Sequence, residues 1–339
     1  MRRHACYLVV IVAMFLLPAE ASAFSAAIEG GVLRFQADPG EGQQVVSLSY
    51  EAGAYRLVTA PRTSFARQRL GPGCARDARG LSDGISCNGA GVVAVEVALG
   101  DGDDIFTIGT SGVPVSYSGG EGRDQAEYLA FASGAPRVVM DNDGVADDGP
   151  GRHDNIRSDV ESLWGEGEPD TLGAGPKPTL LVPGGGDDIA RGGPADDVIH
   201  AVLVSTGGDS RGPIFELFPA GRDKVSCGAG SDSVVADRRD DVAGDCEIVG
   251  RDGARWRNRP AYAFVGSDHA DRIALSTILP PTTWMRTIVS SGRGNDRIDA
   301  RDASFKQRPG DVIHCGAGRD IVYADGADRA FKDCERVRR

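Results

Sequence analysis

The sequence predicts an all-β protein in which short parallel strands stack into a coil, and three observations support this fold class. A five-residue phrase, Gly-x-Asp-x-apolar, recurs along the chain, as in residues 186–190 and 294–298. In places its aspartates lie nine residues apart, as Asp188 and Asp197 do, and this is the period of calcium-binding parallel β coils. The composition includes 47 glycines and 6% aromatic residues, as expected for a turn-rich structure with a thin core.

Each residue of the phrase has a distinct role. Glycine permits a tight turn with a positive φ, and aspartate supplies the hard oxygen ligands that Ca²⁺ prefers. The apolar residue two places later lies on a short strand and points inward, because side-chain direction alternates along a strand. One unit cannot bury its apolar residue alone, so units must stack, and two of them predict a coil turn of about 18 residues.

The aspartates of these phrases are the predicted metal ligands, and Ca²⁺ is the predicted cofactor. They are Asp101, Asp103, Asp104, Asp124, Asp187, Asp188, Asp196, Asp197, Asp223, Asp232, Asp296 and Asp320. The nine-residue pairs Asp188/Asp197 and Asp223/Asp232 favour calcium most strongly. For isolated units such as Asp296, the favoured alternative is an aspartate that only accepts hydrogen bonds at its turn.

Three segments interrupt the phrases. In the acidic segment from Asp141, Gly144 would be the sixth residue of an EF-hand loop, but the twelfth would be Pro150 and not the required glutamate. We therefore expect an insert whose acidic tip binds Ca²⁺ weakly. Residues 201–219 and 250–264 contain prolines and predict irregular loops.

Two segments match a longer consensus, Gly-Gly-x-Gly-x-Asp-x-apolar-x. Residues 119–124 fit its first six positions, and residues 192–199 fit with Ala195 in place of the third glycine. On these motifs the chain resembles the hemolysin-type calcium-binding repeat proteins, also called RTX proteins, and the segment from Asp141 resembles one in secreted actinobacterial members. The resemblance spans about residues 92–325. It implies a right-handed parallel β-roll with two repeats per turn and Ca²⁺ between stacked turns.

Residues 1–23 predict a secretory signal peptide: arginines precede an apolar stretch that ends at Pro18, and small residues follow at 21–23. The stretch is shorter than the ~20 residues of a membrane-spanning helix, so we expect a secreted protein without a membrane span. Residues 24–91 predict an N-terminal β cap with a disulfide loop. Residues 92–339 predict the parallel β-roll or β-helix solenoid with the calcium-binding repeats.

Six cysteines follow the signal peptide, as expected in an oxidising compartment. Cys227 and Cys246 lie 19 residues apart, and Cys315 and Cys334 repeat this spacing and its sequence context. Residues 19 apart fall on adjacent coil turns about 4.8 Å apart, within the range that a disulfide requires. The predicted disulfides are Cys227–Cys246, Cys315–Cys334 and, by elimination, Cys74–Cys87. Zinc is disfavoured, because no Cys-x-x-Cys and no histidine at ligand spacing is present.

The net charge of −12 disfavours nucleic acid and favours divalent cations or basic partners. The sequence has no His-Glu-x-x-His, Gly-x-Ser-x-Gly or phosphate-binding motif, and His200 and His314 fall on the outward strand face. We therefore predict a secreted, non-catalytic calcium-binding protein. Two alternatives stay open: a scaffold that binds an extracellular polysaccharide or cell-surface component, and a β-helix glycan lyase or epimerase.

Overall fold

The computed structural model describes the chain in ten ranges, and the predicted signal peptide lies outside them. The ranges are residues 24–40, 42–59, 68–77, 84–129, 137–209, 212–218, 221–256, 259–275, 286–301 and 310–339. Their regular structure is all-β and is organised in five sheets. Within these ranges no helix is long and apolar enough to cross a membrane.

The strands are short, with at most nine residues each. In chain order they are β1 (Phe24–Glu29), β2 (Val32–Ala37), β3 (Val45–Glu51), β4 (Ala54–Thr59), β5 (Gln68–Leu70), β6 (Cys74–Arg76), β7 (Gly84–Asn88), β8 (Ala94–Asp101), β9 (Ile105–Ile108), β10 (Val115–Glu121), β11 (Gln125–Tyr128), β12 (Val139–Asp141), β13 (Asn155–Ile156), β14 (Ser162–Trp164), β15 (Thr171–Gly173), β16 (Leu180–Val182), β17 (Ile189–Arg191), β18 (Val198–Ala201), β19 (Leu203–Asp209), β20 (Gly212–Phe218), β21 (Lys224–Ser226), β22 (Ser233–Ala236), β23 (Asp241–Val242), β24 (Ile248–Trp256), β25 (Arg259–Val265), β26 (Arg272–Ala274), β27 (Arg286–Ser290), β28 (Arg297–Asp299), β29 (Val312–His314), β30 (Ile321–Tyr323), β31 (Arg329–Ala330) and β32 (Arg336–Arg338).

One sheet is much longer than the others, with fifteen strands. This long sheet runs in the order β31-β29-β27-β25-β24-β22-β18-β16-β14-β11-β9-β3-β4-β7-β6. A six-stranded sheet runs β13-β10-β8-β2-β1-β5, a five-stranded sheet runs β12-β15-β17-β21-β23, and a four-stranded sheet runs β26-β28-β30-β32. Strands β19 and β20 form a separate hairpin.

The chain alternates between the long sheet and a second sheet, and we call one such circuit a winding. From β14 to β18, successive strands alternate between the long and the five-stranded sheets. Ser162 pairs in parallel with Leu180, and Leu180 pairs with Val198, so each of these windings takes 18 residues. This is the interval that two nine-residue units predict. Long parallel sheets of this kind are compatible with a β-helix or β-roll.

Other windings are longer because antiparallel hairpins are inserted between their strands. Val198 pairs with Ser233, 35 residues later, and β19 and β20 form the intervening hairpin. Strands β24 and β25 form a second antiparallel pair. The prediction of irregular loops at 201–219 and 250–264 is therefore wrong for the described parts of these segments. Proline, which lacks an N–H, is tolerated where a strand has a free edge.

The core consists of apolar residues on the short strands, many of them two residues after the aspartate of a turn, as Leu172 is after Asp170. Leu163, Leu181 and Ile199 stack along one face of the long sheet, in the same cluster as Leu172 and Ala190 of the five-stranded sheet. All five are fully buried. Burying each large aliphatic side chain stabilises the fold by about 1.5–3 kcal/mol, and only stacked windings provide that burial.

The opposite face of the long sheet is covered near β18. His200 is only 6% exposed, and its neighbour in register, Val235, is 1% exposed. Val235 packs in a second cluster with Val202 and Phe264. The prediction of a solvated His200 is wrong because this cluster covers the outer face, whereas the side chain of His314 is 39% exposed.

The N-terminal strands extend the stacked sheets. Strands β1 and β2, and β3 and β4, are antiparallel pairs. Strand β2 also pairs in parallel with β8, and β3 pairs in parallel with β9. The sheets are therefore continuous across the N-terminal cap and the repeats.

Three disulfides are present, and they join the same pairs that the sequence predicts. They are Cys74–Cys87, Cys227–Cys246 and Cys315–Cys334. Cys74 and Cys87 face each other across β6 and β7. In each of the other two pairs the Cα atoms are 5.1 Å apart. Three disulfides are consistent with an extracellular protein.

Candidate metal-binding turns

A hydrogen bond from backbone to carboxylate links one winding to the next at the turns. The N–H of Asp104 donates to Oδ1 of Asp124 at 2.9 Å, and the N–H of Gln125 donates back to the carbonyl of Asp104 at 2.8 Å. The same aspartate-to-aspartate bond runs from Asp170 to Asp188, Asp188 to Asp223, Asp197 to Asp232, Asp223 to Asp240, Asp271 to Asp296, Asp296 to Asp320, and Asp311 to Asp328. We call these bonds the aspartate ladder.

The ladder explains why aspartate directly precedes many strands. Asp104 and Asp124 immediately precede β9 and β11, where the backbone N–H of each lies just outside the sheet. A buried N–H without a partner is costly, and the carboxylate of the next winding supplies the acceptor. Both aspartates are fully buried.

In some ladder aspartates the second carboxylate oxygen is also hydrogen-bonded. Oδ2 of Asp197 accepts the N–H of Gly193 at 2.7 Å, and Oδ2 of Asp170 accepts the N–H of Glu166 at 3.1 Å. Both oxygens are likewise bonded in Asp240, Asp271 and Asp328. We call these closed aspartates, because both oxygens already accept hydrogen bonds: from backbone N–H groups in four of them, and from the N–H and the hydroxyl of Ser267 in Asp271.

In the other ladder aspartates Oδ2 is buried and has no hydrogen-bond partner within the described ranges. These open aspartates are Asp104, Asp124, Asp188, Asp223, Asp232, Asp296 and Asp320. Each is at most 1% exposed, and each has a glycine two residues earlier in the sequence. Among the closed aspartates only Asp328 has such a glycine. Apart from Asp328, the Gly-x-Asp phrase therefore marks the turns that leave one carboxylate oxygen unpartnered.

The glycine is required by the close approach of neighbouring turns. Gly230 has a φ of 149°, and a Cβ at this position would lie 2.4 Å from the carbonyl oxygen of Ala195 in the preceding winding. Gly186 has a φ of 127°, and its Cβ would lie 2.8 Å from the carbonyl oxygen of Glu168. The Gly-x-Asp turns are therefore pressed against backbone carbonyl groups, which are also ligands that Ca²⁺ accepts.

The remaining predicted ligands are exposed and bonded to neighbouring segments. They are Asp101, Asp103, Asp187 and Asp196. Asp187 accepts the N–H of Arg222 through Oδ1 at 2.9 Å, and Asp103 and Asp196 accept the equivalent bonds from Arg123 and Ser231. These side chains connect windings in the direction opposite to the aspartate ladder, and they add negative charge beside the open aspartates.

The open carboxylates are electrostatically disfavoured in their charged form. Burial raises the pKa of Asp188 to about 8 and that of Asp104 to about 7. Burial also raises the pKa values of Asp124, Asp223 and Asp232 to about 6. Carboxylates of adjacent windings add repulsion, as Asp223 does beside Asp188, and backbone N–H groups offset part of the rise. No arginine or lysine within the described ranges forms an ion pair with them.

The residues present fit a divalent cation with a preference for oxygen. A buried carboxylate oxygen without a donor is costly unless it is protonated or neutralised by a cation. The available donors are carboxylate and carbonyl oxygens, which are the ligands of Ca²⁺ and not of softer metals. The donor set therefore suits hard divalent cations, of which Ca²⁺ is one.

The acidic segment after β12 brings three more carboxylates together. Ligand atoms of Asp141, Asp147 and Asp148 lie within 4.8 Å of one another. Both oxygens of Asp148 already accept backbone N–H groups, from Asp141 and Ile156, each at 2.7 Å. Asp148 therefore resembles the closed aspartates, whereas Oδ1 of Asp147 is buried and has no hydrogen-bond partner within the described ranges.

The sequence interpretation missed the glutamates that end the ladder. Oε2 of Glu247 accepts the N–H of Asp232 at 2.9 Å, and Oε2 of Glu335 accepts the N–H of Asp320 at 2.8 Å. Glu161 accepts the N–H of Asp124 in the same way at 3.1 Å, after Asp159 and Val160. Glu247 and Glu335 each belong to an Asp-Cys-Glu tripeptide that also carries a disulfide cysteine. The repetition of this tripeptide in the duplicated cysteine segment was the signal that could have identified them.

Compared with protein-family models and with curated proteins, the sequence gives no match.

Proposed function

We propose that this chain is a secreted calcium-binding repeat protein with a structural, non-catalytic role, in which Ca²⁺ is held at Gly-x-Asp turns between windings of a right-handed parallel β-roll or β-helix. The observation that carries the proposal is the set of buried, unpartnered Oδ2 atoms of the open aspartates. The resemblance of residues 119–124 and 192–199 to RTX repeats supports it.

Open aspartates on adjacent windings are the strongest candidate sites. Three such pairs exist within the described ranges, and the ladder links the members of each: Asp104/Asp124, Asp188/Asp223 and Asp296/Asp320. Each pair presents two unpartnered carboxylate oxygens. Asp197 is not part of the proposed ligand set, because the backbone satisfies both of its oxygens.

Calcium would act by removing the repulsion between these pairs. The unfolded chain does not hold the carboxylates together, so an ion that binds the folded state contributes its binding free energy to stability. At a free Ca²⁺ concentration 100 times the dissociation constant, each site would stabilise the fold by about 2.7 kcal/mol. Extracellular modules commonly bind Ca²⁺ with dissociation constants of about 10⁻⁴–10⁻³ M, so export would favour folding.

Thermal unfolding of the mature chain with calcium, with magnesium and with a chelator tests the proposal. We expect millimolar Ca²⁺ to raise the unfolding temperature well above that in chelator. Magnesium should have a much smaller effect, because it requires a more rigid octahedral site and loses its water reluctantly. Equal unfolding temperatures in calcium and in chelator would contradict the proposal.

A further inference from the structure

A cavity of about 630 Å³ lies on the outer face of the five-stranded sheet. Its floor consists of outward-facing residues of β12, β15 and β17, arranged in two rows across the strands. The rows are Val139, Thr171 and Ile189, and Asp141, Gly173 and Arg191. The open aspartates do not line this cavity, so it is separate from the proposed calcium sites.

The wall of the cavity is the loop that follows β12. The N–H of Gly149 donates to the carbonyl of Val139 at 2.7 Å, and the N–H of Arg152 donates to the carbonyl of Gly149 at 3.2 Å. Arg152 has a φ of 54°, in the left-handed region that is strained for a residue with a Cβ. Such strain persists where the surrounding structure enforces it, and it is common at ligand sites.

Three arginines line the cavity, although the whole chain carries a net charge of −12. Arg137, Arg152 and Arg191 are all exposed, so a ligand can reach them from solvent. Within the described ranges the side chains of Arg152 and Arg191 form no ion pair, and Arg137 interacts electrostatically with Asp170. Asp141 is the one acidic residue of the lining. The residues that line the cavity therefore carry three positive charges and one negative charge, and the carboxylates of Asp147 and Asp148 lie within 4.8 Å of that of Asp141.

We propose that this arginine pocket binds an acidic oligosaccharide whose sugar units carry carboxylate groups. Guanidinium groups pair with carboxylates through two parallel hydrogen bonds. Between the arginines, Val139 and Ile189 provide an apolar floor for the face of a sugar ring. Inorganic phosphate would use the guanidinium groups but not this floor. The volume lies within the range of about 300–1,000 Å³ that is usual for ligand pockets.

Isothermal titration with trigalacturonate tests the pocket, with the neutral trisaccharide maltotriose and with inorganic phosphate as comparison ligands. All titrations use the full mature chain in calcium-containing buffer. The test variant is Arg152→Gly/Arg191→Gln, in which the glycine also relieves the positive φ. The matched control is Arg272→Gln/Arg319→Gln, which removes the same charge from exposed positions outside the pocket.

We expect trigalacturonate to bind the wild type and the control variant within about twofold of each other. The test variant should bind at least about tenfold more weakly, since the loss of even one hydrogen bond to a charged group weakens binding by about that factor. Three results would overturn the proposal: equal binding of trigalacturonate by the test and control variants, no binding of it by the wild type, or binding of phosphate but not of trigalacturonate. Unfolding temperatures of both variants report whether they are folded. The binding result does not depend on whether calcium stabilises the chain, so this proposal and the proposed function can fail separately.

Discussion

The backbone N–H of Asp188 donates to Oδ1 of Asp223, 3.0 Å away and 35 residues later in the chain. The N–H that follows Asp223 donates back to the carbonyl of Asp188 at 2.9 Å. Both carboxylates are buried, and Oδ2 of each has no partner within the described ranges. The aspartates therefore have two separable functions: one oxygen joins the windings, and the other is available to a cation.

In the absence of calcium, stability should decrease as the pH rises from about 4 to about 8. The pKa of Asp188 in the folded protein is about 8 and that of Asp104 about 7, whereas an unfolded aspartate titrates near 4. Between these values the folded state binds more protons than the unfolded state, so raising the pH favours unfolding. Asp245 and Asp299, whose pKa values are lowered, act in the opposite direction only below about pH 4.

Unfolding temperatures across this pH range, in chelator and in calcium, provide the measurement. Calcium should flatten the decrease, because the cation replaces the protons that the open aspartates lose. A rise in unfolding temperature with pH in chelator would contradict this account.

Replacing Gly230 with alanine should destabilise the protein by about 2–4 kcal/mol, through its positive φ and the overpacking of the turn. The added Cβ would lie 2.4 Å from a backbone carbonyl that cannot rotate away. Gly244→Ala is the matched control, because a Cβ there has no atom within 4 Å and its φ is not positive. That control should change stability by at most about 1 kcal/mol. Urea unfolding of both variants measures their free energies of unfolding. Similar losses of stability in the two variants would show that contact between neighbouring turns is not what requires glycine at 230.

Removing the Cys315–Cys334 disulfide should loosen the last winding. In the chain-entropy model, a crosslink between residues 19 apart contributes about 3 kcal/mol. Strand β32 is an edge of the four-stranded sheet, with β30 as its neighbour. In the variant Cys315→Ala/Cys334→Ala, hydrogen exchange at residues 336–338 should accelerate more than exchange in β16. Unchanged protection at residues 336–338 would show that the disulfide does not hold this strand.

The 18-residue interval could be predicted because each unit contains its own turn and its own inward residue, as the pairing of Ser162 with Leu180 illustrates. The hairpin β19–β20 could not be predicted from the same pattern. It adds residues to a winding without changing which strands pair, so Val198 still meets Ser233. A local period does not report how much chain is inserted between its copies.

The candidate site was only partly predictable for a related reason. Asp188 and Asp197 both follow the aspartate phrase and both bond the preceding winding through Oδ1. They differ in Oδ2, which accepts the N–H of Gly193 in Asp197 and has no partner in Asp188. Glycine or alanine two residues earlier distinguishes the two, but the consequence depends on the path of the turn, which only the structure gives.

Asp188→Asn and Asp197→Asn form a matched pair for the central claim. Asparagine at 188 keeps a side-chain oxygen that accepts the N–H of Asp170. Its NH₂ group takes the place of Oδ2, which accepts no hydrogen bond in the wild type. Both oxygens of Asp197 accept backbone N–H groups, so the NH₂ group of an asparagine at 197 would face one of these donors. The lost hydrogen bond costs about 1–3 kcal/mol of stability whether or not calcium is present.

The deciding measurement is the unfolding free energy of wild type and both variants, in millimolar calcium and in chelator. We predict that calcium stabilises Asp188→Asn less than wild type by about 1–3 kcal/mol, as expected for the loss of one site. Asp197→Asn should be less stable than wild type in both conditions and retain the full calcium effect. An undiminished calcium effect in Asp188→Asn, or a loss confined to Asp197→Asn, would contradict the assignment of calcium to the open aspartates.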